Sequence, residues 1–135
     1  MFNKYDKYLS LELSDNYWSD EGIGEARFLL EKFTTSDWDL LIQTCIIKPI
    51  PWAIRCAETL GDDVQGRDFD VLLMLLDSGN NEVTIAVLDS INSLASLGFD
   101  ISLYSKKLIC SLNSVKENAG WFERVLLDSL DKKLL

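Results

Sequence analysis

The residues in this chain best placed to do chemistry are carboxylates. Asp62, Asp63, Asp68 and Asp70 crowd the stretch DDVQGRDFD, and from Asp62 to Asp100 there are eight acids and one base, Arg67, a local net charge of −7. A second cluster, Glu12, Asp15, Asp20, Glu21 and Glu25, contains no base. Carboxylates in such number can hold a cation, pair for proton transfer, or face a basic partner. A calcium loop sets acids at alternate positions, followed by glycine and a distant glutamate, whereas alternate positions from Asp62 read Asp, Val, Gly. Asp68 and Asp70 stand two apart, which on a helix points them in different directions and argues against an acid/base pair.

Other catalytic chemistry lacks its residues. The chain has no histidine, which removes the usual base of Ser and Cys nucleophile systems and the commonest transition-metal ligand. Cys45, Cys56 and Cys110 form no CxxC and lie on apolar stripes, so they read as reduced core thiols. Gly22-Ile23-Gly24 lacks the preceding strand and third glycine of a nucleotide-binding turn and reads as a helix entry. No enzyme activity, metal or cofactor is expected.

What remains is recognition. A formal net charge of −9 over 135 residues repels nucleic acid and anionic membrane as direct partners. It fits either a solubilising surface or a field that attracts something basic. No apolar run nears the ~20 residues of a membrane span, and MFNKYDKYLS has no secretory core, so a cytoplasmic protein is expected. Aromatics are numerous: Trp18, Trp38, Trp52 and Trp121, with Tyr5, Tyr8 and Tyr17. Trp18 and Tyr17 lie between Asp15 and Asp20 in a polar segment. They fit either an aromatic anchor ringed by acids or a staple onto the helix beginning near Asp20.

The elements that must position these residues read as helices. The first twenty residues are ambiguous: LSLEL alternates like a strand, while Trp18 and the tyrosines suggest a cap folded over the body. Ile23, Ala26, Leu30 and Phe33 share one helical stripe. Ser36, with Asp39 three residues on, reads as a helix start, and Pro49 ends that helix. Pro51 suits a first turn, Trp52, Cys56, Ala57 and Leu60 form the next stripe, and Gly61 is placed to close it. RDFDVLLMLLDSGN is rich in Leu and Met, favouring a buried helix stopped by Gly79. Val83, Ala86, Val87, Ile91 and Leu94 then share a face, with Glu82, Asp89, Ser93 and Ser96 on a wet one. Two final helices span roughly Ser102 to Lys116 and Asn118 to Leu130.

A periodicity links these helices. Shifting PWAIRCAETL by 31 residues lays Trp52 on Val83, Ile54 on Ile85, Cys56 on Val87, Glu58 on Asp89 and Leu60 on Ile91. A further 39 lays Val87 on Leu126, Asp89 on Asp128, Ser90 on Ser129 and Ile91 on Leu130. The stretches LLIQTCIIKPIPWAIRCAETLGDD and DVLLMLLDSGNNEVTIAVLDSINSL resemble HEAT-type α-solenoid repeats, although the repeats are short and the arginine usual in the inner helix occurs only as Arg55. The resemblance implies an all-α fold: a short HEAT-like right-handed stack of antiparallel helical hairpins with an N-terminal cap. One domain is expected over residues 1–135, with residues 1–19 as the cap and hairpins over about 36–131.

In size, acidity, extended N-terminal segment and Trp-containing helices, the chain also resembles the immunity proteins of bacterial contact-dependent toxin systems. That resemblance implies a cognate toxin C-terminal domain as partner, often a basic nuclease, whose cleft an acidic surface would cover. Tyr17, Trp18, Asp20, Glu21, Asp62, Asp63, Asp68, Asp70, Glu82 and Asp89 are the expected partner-binding residues. A HEAT-like adaptor or assembly factor with another protein partner is the alternative.

Overall fold

The structure, a computed structural model, describes residues 1–117 and 119–134, the Phe122 side chain excepted. Among the described residues there is helix and no strand, so the chain is all-α. The helices are α1 (Phe2–Leu9), α2 (Asp15–Tyr17), α3 (Ile23–Leu30), α4 (Thr35–Thr44), α5 (Ile50–Thr59), α6 (Asp68–Leu75), α7 (Asn81–Ser96), α8 (Ser105–Lys116) and α9 (Trp121–Leu134). A π turn, Trp18–Gly22, joins α2 to α3 without a break. Helix α9 begins at Trp121, after the non-helical Ala119 and Gly120, later than the start expected at Asn118, a residue that itself lies outside the described residues.

The N-terminal ambiguity resolves as helix because Phe2, Tyr5 and Leu9 recur at helical spacing and all three are buried. LSLEL covers the end of α1 and the turn beyond it; it has no neighbouring strand to pair with among the described residues. The Tyr5 hydroxyl lies 2.7 Å from Thr59 Oγ1, and its ring stands edge-on to Phe33 and Trp52 at 5.4 and 6.4 Å between centroids. Asp6 accepts from Lys48 Nζ at 2.8 Å and from Trp52 Nε1 at 3.0 Å. The cap is therefore held by an apolar face and by buried-edge polar contacts together.

Helix α4 starts two residues earlier than the sequence suggests. Thr34, not Ser36, is its cap: Thr34 Oγ1 accepts from the Asp37 amide at 3.3 Å, and Asp37 Oδ2 accepts from the Thr34 amide at 2.8 Å. Asp37 also accepts from the Phe2 amide at 3.1 Å, which anchors the start of α1. These amides hold its carboxyl down at about 2. Helix α5 carries Pro51 in its first turn, as its sequence implies. Gly61 follows α5 at φ +102°, and a Cβ there would lie 2.8 Å from the Ser90 carbonyl oxygen. The end of α5 can sit directly on α7 only because that position is glycine; Ser90 Oγ donates across the contact to the Ala57 carbonyl at 2.6 Å.

Helices α3, α5, α7 and α9 pack in succession, each against the next. Helix α6 backs α7, α8 backs α7 and α9, α4 packs on α6, and α1 covers α3, α4 and α5. One apolar core runs through all of them, from Phe2 and Tyr5 to Leu127 and Leu130.

Trp18 is seated by the π turn. A Cβ on Gly22 would fall 2.5 Å from Trp18 Cε3, closer than any carbon pair tolerates, so the indole rests on bare backbone. Gly22→Ala is expected to push the ring out and cost about 1–3 kcal/mol, as overpacking does. Thermal unfolding and tryptophan fluorescence would check it; an unchanged midpoint with an unshifted emission spectrum would contradict this account of the turn.

Candidate functional site

The acids that the sequence brings forward separate into three places. The first is the turn after α5. Here Asp68 is 3% exposed, and its Oδ2 accepts from the amides of Gly61, Asp62 and Asp63 at 3.0, 3.4 and 3.4 Å. Burial raises its pKa despite these amides. Asp68 is thus a brace for the turn and cannot reach a partner, which corrects the expectation drawn from its neighbours. Asp70 lies 3.8 Å from Arg67 Nε, and Arg67 also bridges to Asp39 at 2.6 Å, so the one base of the region is spent on its own acids. Asp62 and Asp63 are exposed, with Asp63 Oδ1 accepting from the Gln65 amide at 2.9 Å.

Asp68→Ala is expected to leave three amides without their acceptor and to cost about 1–3 kcal/mol. Hydrogen exchange at Gly61, Asp62 and Asp63 would rise while exchange in α7 stays slow. Uniform protection in the variant would show that the turn does not depend on this carboxylate.

The second place is the hollow between α1 and α3, lined by Tyr8, Asp20, Glu21, Gly24, Glu25, Phe28 and Leu29. Tyr17 stands at its rim, its hydroxyl donating to both Glu25 oxygens at 3.3 Å, and Tyr8 donates to the same carboxylate. Burial comes first, and Glu25 second, in raising the Tyr8 phenol. The ammonium of Lys32 lies 4.5 Å from the Phe28 ring centroid, so the chain's own cation already stands over an aromatic that stays 57% exposed.

Trp18 belongs to neither surface. It is 5% exposed, packs beside Tyr8, and donates from Nε1 to Glu58 Oε1 at 3.2 Å. An aromatic anchor must be exposed before binding, so the packing role holds and the anchor role does not. The Arg55 guanidinium sits 5.2 Å from the indole centroid and donates to the carbonyls of Leu9, Leu11 and Leu13 at 3.1, 2.6 and 3.2 Å. Trp121, in contrast, is 81% exposed.

The third place is the groove across α5, α7 and α9. Its floor is Ile54, Ile85, Ala86 and Leu126, its acids are Glu58, Glu82, Asp89 and Glu123, and its volume is about 480 Å³. Ala86, expected in the core, is half-buried here. Asp89, expected on a wet face, is also half-buried, and burial raises its pKa. Burial likewise raises Glu58, with the Trp18 hydrogen bond acting against it and the negative charge of Asp89 adding to it. Among the described residues, no lysine or arginine lies within ion-pair distance of any of the four. Arg55, whose charge acts to lower the Glu58 pKa, is held by the carbonyls of Leu9, Leu11 and Leu13, and Arg27 donates to the backbone carbonyl of Glu58 at 3.4 Å. This is where unneutralised charge is concentrated over apolar surface.

Of the expected residues, Glu82 and Asp89 meet in this groove; Asp20 and Glu21 share the α1–α3 hollow, and Asp62 and Asp63 stay at the turn. Glu58 and Glu123 are additions. The shift of 31 that lays Glu58 on Asp89 is a signal for the first. Nothing in the sequence signals Glu123: the shift of 39 points instead to Asp128, which lies 3.6 Å from Lys116 outside the groove.

Among the described residues, no group of three His, Cys, Asp or Glu side chains could hold a metal, and no helix is long and apolar enough to cross a membrane. Cys45 and Cys56 are buried, which pushes the Cys45 thiol up to about 11 and the Cys56 thiol higher still. Cys110 is exposed, contrary to its expected place on an apolar face, because α8 buries Leu108, Leu112 and Val115 and turns position 110 outward. The chain matches no protein-family model, no curated protein and no solved structure.

Proposed function

We propose that the protein is an immunity protein, acting in the cytoplasm, that binds a cognate basic toxin domain and covers its substrate cleft. The toxin class that fits best is a nuclease, because a cleft that grips phosphates must be cationic, and carboxylates held on a rigid surface can occupy it in their place. Complementary charge accelerates the encounter and selects the partner. The observation that carries this reading is the groove of Glu58, Glu82, Asp89 and Glu123, four acids over an apolar floor with no paired base among the described residues.

The frame in this reading is a short HEAT-like stack of hairpins. The succession α3, α5, α7, α9 with α4, α6 and α8 behind it supports that frame, since inner helices of such stacks present one continuous surface to a partner.

Co-expression with the C-terminal domain encoded immediately upstream tests the proposal. The wild-type chain should restore growth and inhibit the toxin in vitro, and Glu82→Lys with Glu123→Lys should lose protection while keeping its helical circular dichroism. Equal protection by that variant removes the groove from the interface. Failure of the wild type to protect, with the protein captured instead by partners of an assembly pathway, favours the adaptor reading.

A further inference from the structure

The groove has a pattern along it as well as a charge. Glu82, Ile85, Ala86 and Asp89 of α7 line it at spacings of three, four and seven, which puts all four on one helical face. At a rise of ~1.5 Å per residue, Glu82 and Asp89 begin roughly 10 Å apart along the axis. Helix α5 repeats one half of this pattern, with Ile54 followed four residues later by Glu58; α9 repeats the other half, with Glu123 followed three residues later by Leu126. Glu82 and Glu123 each lie in the first turn of their helix, while Glu58 of α5 and Asp89 of α7 line the same groove. The trough therefore carries acids toward both ends of its central α7 strip and aliphatic side chains between them.

We propose that this trough receives one amphipathic helix of a cationic partner, with basic residues seven positions apart and aliphatic residues at the two middle positions between them. The inference rests on the reading of a basic protein partner and specifies which part of it enters. Charge complementarity decides the sign of the occupant, and the Glu82-to-Asp89 interval decides its spacing. The apolar floor decides what lies between the charges, because Ile54, Ile85, Ala86 and Leu126 are half-buried and gain from being covered. The occupant is a helix for a backbone reason. All three walls are helices whose amides and carbonyls are internally bonded, so an extended segment would find no backbone partners there, whereas a helix brings its own. In the hollow between α1 and α3, Glu25 already accepts from Tyr8 and Tyr17 and Lys32 stands over Phe28, so its acids are partly answered by the chain itself and it makes no equal claim.

An alanine-rich peptide of about 18 residues, long enough to be partly helical in water, is the probe. It carries arginines seven apart with leucines three and four residues after the first. An isomer of identical composition and helicity sets the arginines two apart. By titration calorimetry at low salt, the spaced peptide should bind at least about tenfold more tightly than the isomer. Glu58→Gln with Asp89→Asn should remove that preference, while Asp62→Asn with Asp63→Asn should leave it intact. Equal binding of the two peptides, binding of neither, or equal loss in the two protein variants overturns the inference. If the toxin is still neutralised by wild type and released by the groove variant while the peptides are not distinguished, the partner reading stands and the helical occupant fails. If wild type neutralises nothing, the partner reading itself fails, whatever the peptides do.

Discussion

Trp18→Ala is expected to lower stability by about 3–5 kcal/mol, the cost of emptying a large buried aromatic site, and the thermal midpoint by roughly 10–20 °C in a chain of this length. The size of the effect follows from position. Trp18 is 5% exposed and lies where the cap, the π turn and α5 meet, beside Tyr8, under Arg55 and bonded to Glu58. Removing it takes away the ring on which Arg55 rests, and Arg55 is what holds the carbonyls of Leu9, Leu11 and Leu13. The loss should therefore extend to residues 10–14, seen as faster hydrogen exchange there. Trp18→Phe keeps one aromatic ring but loses the donor to Glu58 together with part of the indole's volume, so its cost should fall between zero and that of the alanine variant. A loss below about 1 kcal/mol for the alanine variant would place the indole outside the core, against its burial.

Neutralising Glu58 and Asp89 together, as Glu58→Gln with Asp89→Asn, is expected to move stability and binding in opposite directions. Both carboxyls have pKa values raised by burial in the folded protein. In the interval between their unfolded and folded pKa values the folded state binds more protons than the unfolded state, so these groups make stability fall as pH rises through that interval. Above it their cost is fully present, and below the unfolded carboxylate range it is absent. The double variant should accordingly melt higher than wild type at neutral pH and converge with it under acid conditions. The amide introduced by Glu58→Gln retains an acceptor oxygen for Trp18 Nε1, so that hydrogen bond need not be lost. Affinity for a basic partner should instead drop by about 100-fold or more, taking ~1.5–3 kcal/mol for each charge-assisted hydrogen bond removed. A variant that loses both stability and affinity would mark the two acids as structural supports; one that gains stability and keeps affinity would take them out of the interface.

Asp37 shows the opposite sign within the same chain. Its carboxyl is held at about 2 by the amides of Thr34 and Phe2, so its contribution is complete above the ordinary carboxylate range and is lost as pH falls toward that value. Two acids strain the fold at the groove while one secures the cap. Burial and local donors together account for the difference: burial comes first in raising Glu58 and Asp89, with only the Trp18 indole set against it at Glu58, whereas the amides aimed at Asp37 outweigh its desolvation.

The legible part of the fold was the part written at close range. Proline and glycine punctuation, the stripe of Trp52, Cys56 and Ala57, and the Gly79 stop all appear where helical spacing puts them. The alignment of Glu58 with Asp89 carried, without any structure, the fact that two helices present acids at one level. The departures have nearby causes. Thr34 outcompetes Ser36 as a cap because Asp37 can answer it and also take the Phe2 amide from a distant helix. Asp68 reads like its exposed neighbours, yet the reversal of the chain at Gly61 aims three amides at it.

By itself the sequence determined that this chain is helical, how its apolar faces recur, and that its charge is strongly negative and unevenly spread, because these follow from residue type and from spacings of three and four. Which acids remain unpaired was decided only by tertiary structure. Asp39 met Arg67, Asp128 met Lys116, Asp68 turned inward, and Glu123 joined Glu82 along one groove. Helical period fixes the direction of a side chain about its own axis, whereas neutralisation depends on what the neighbouring helix brings across the gap.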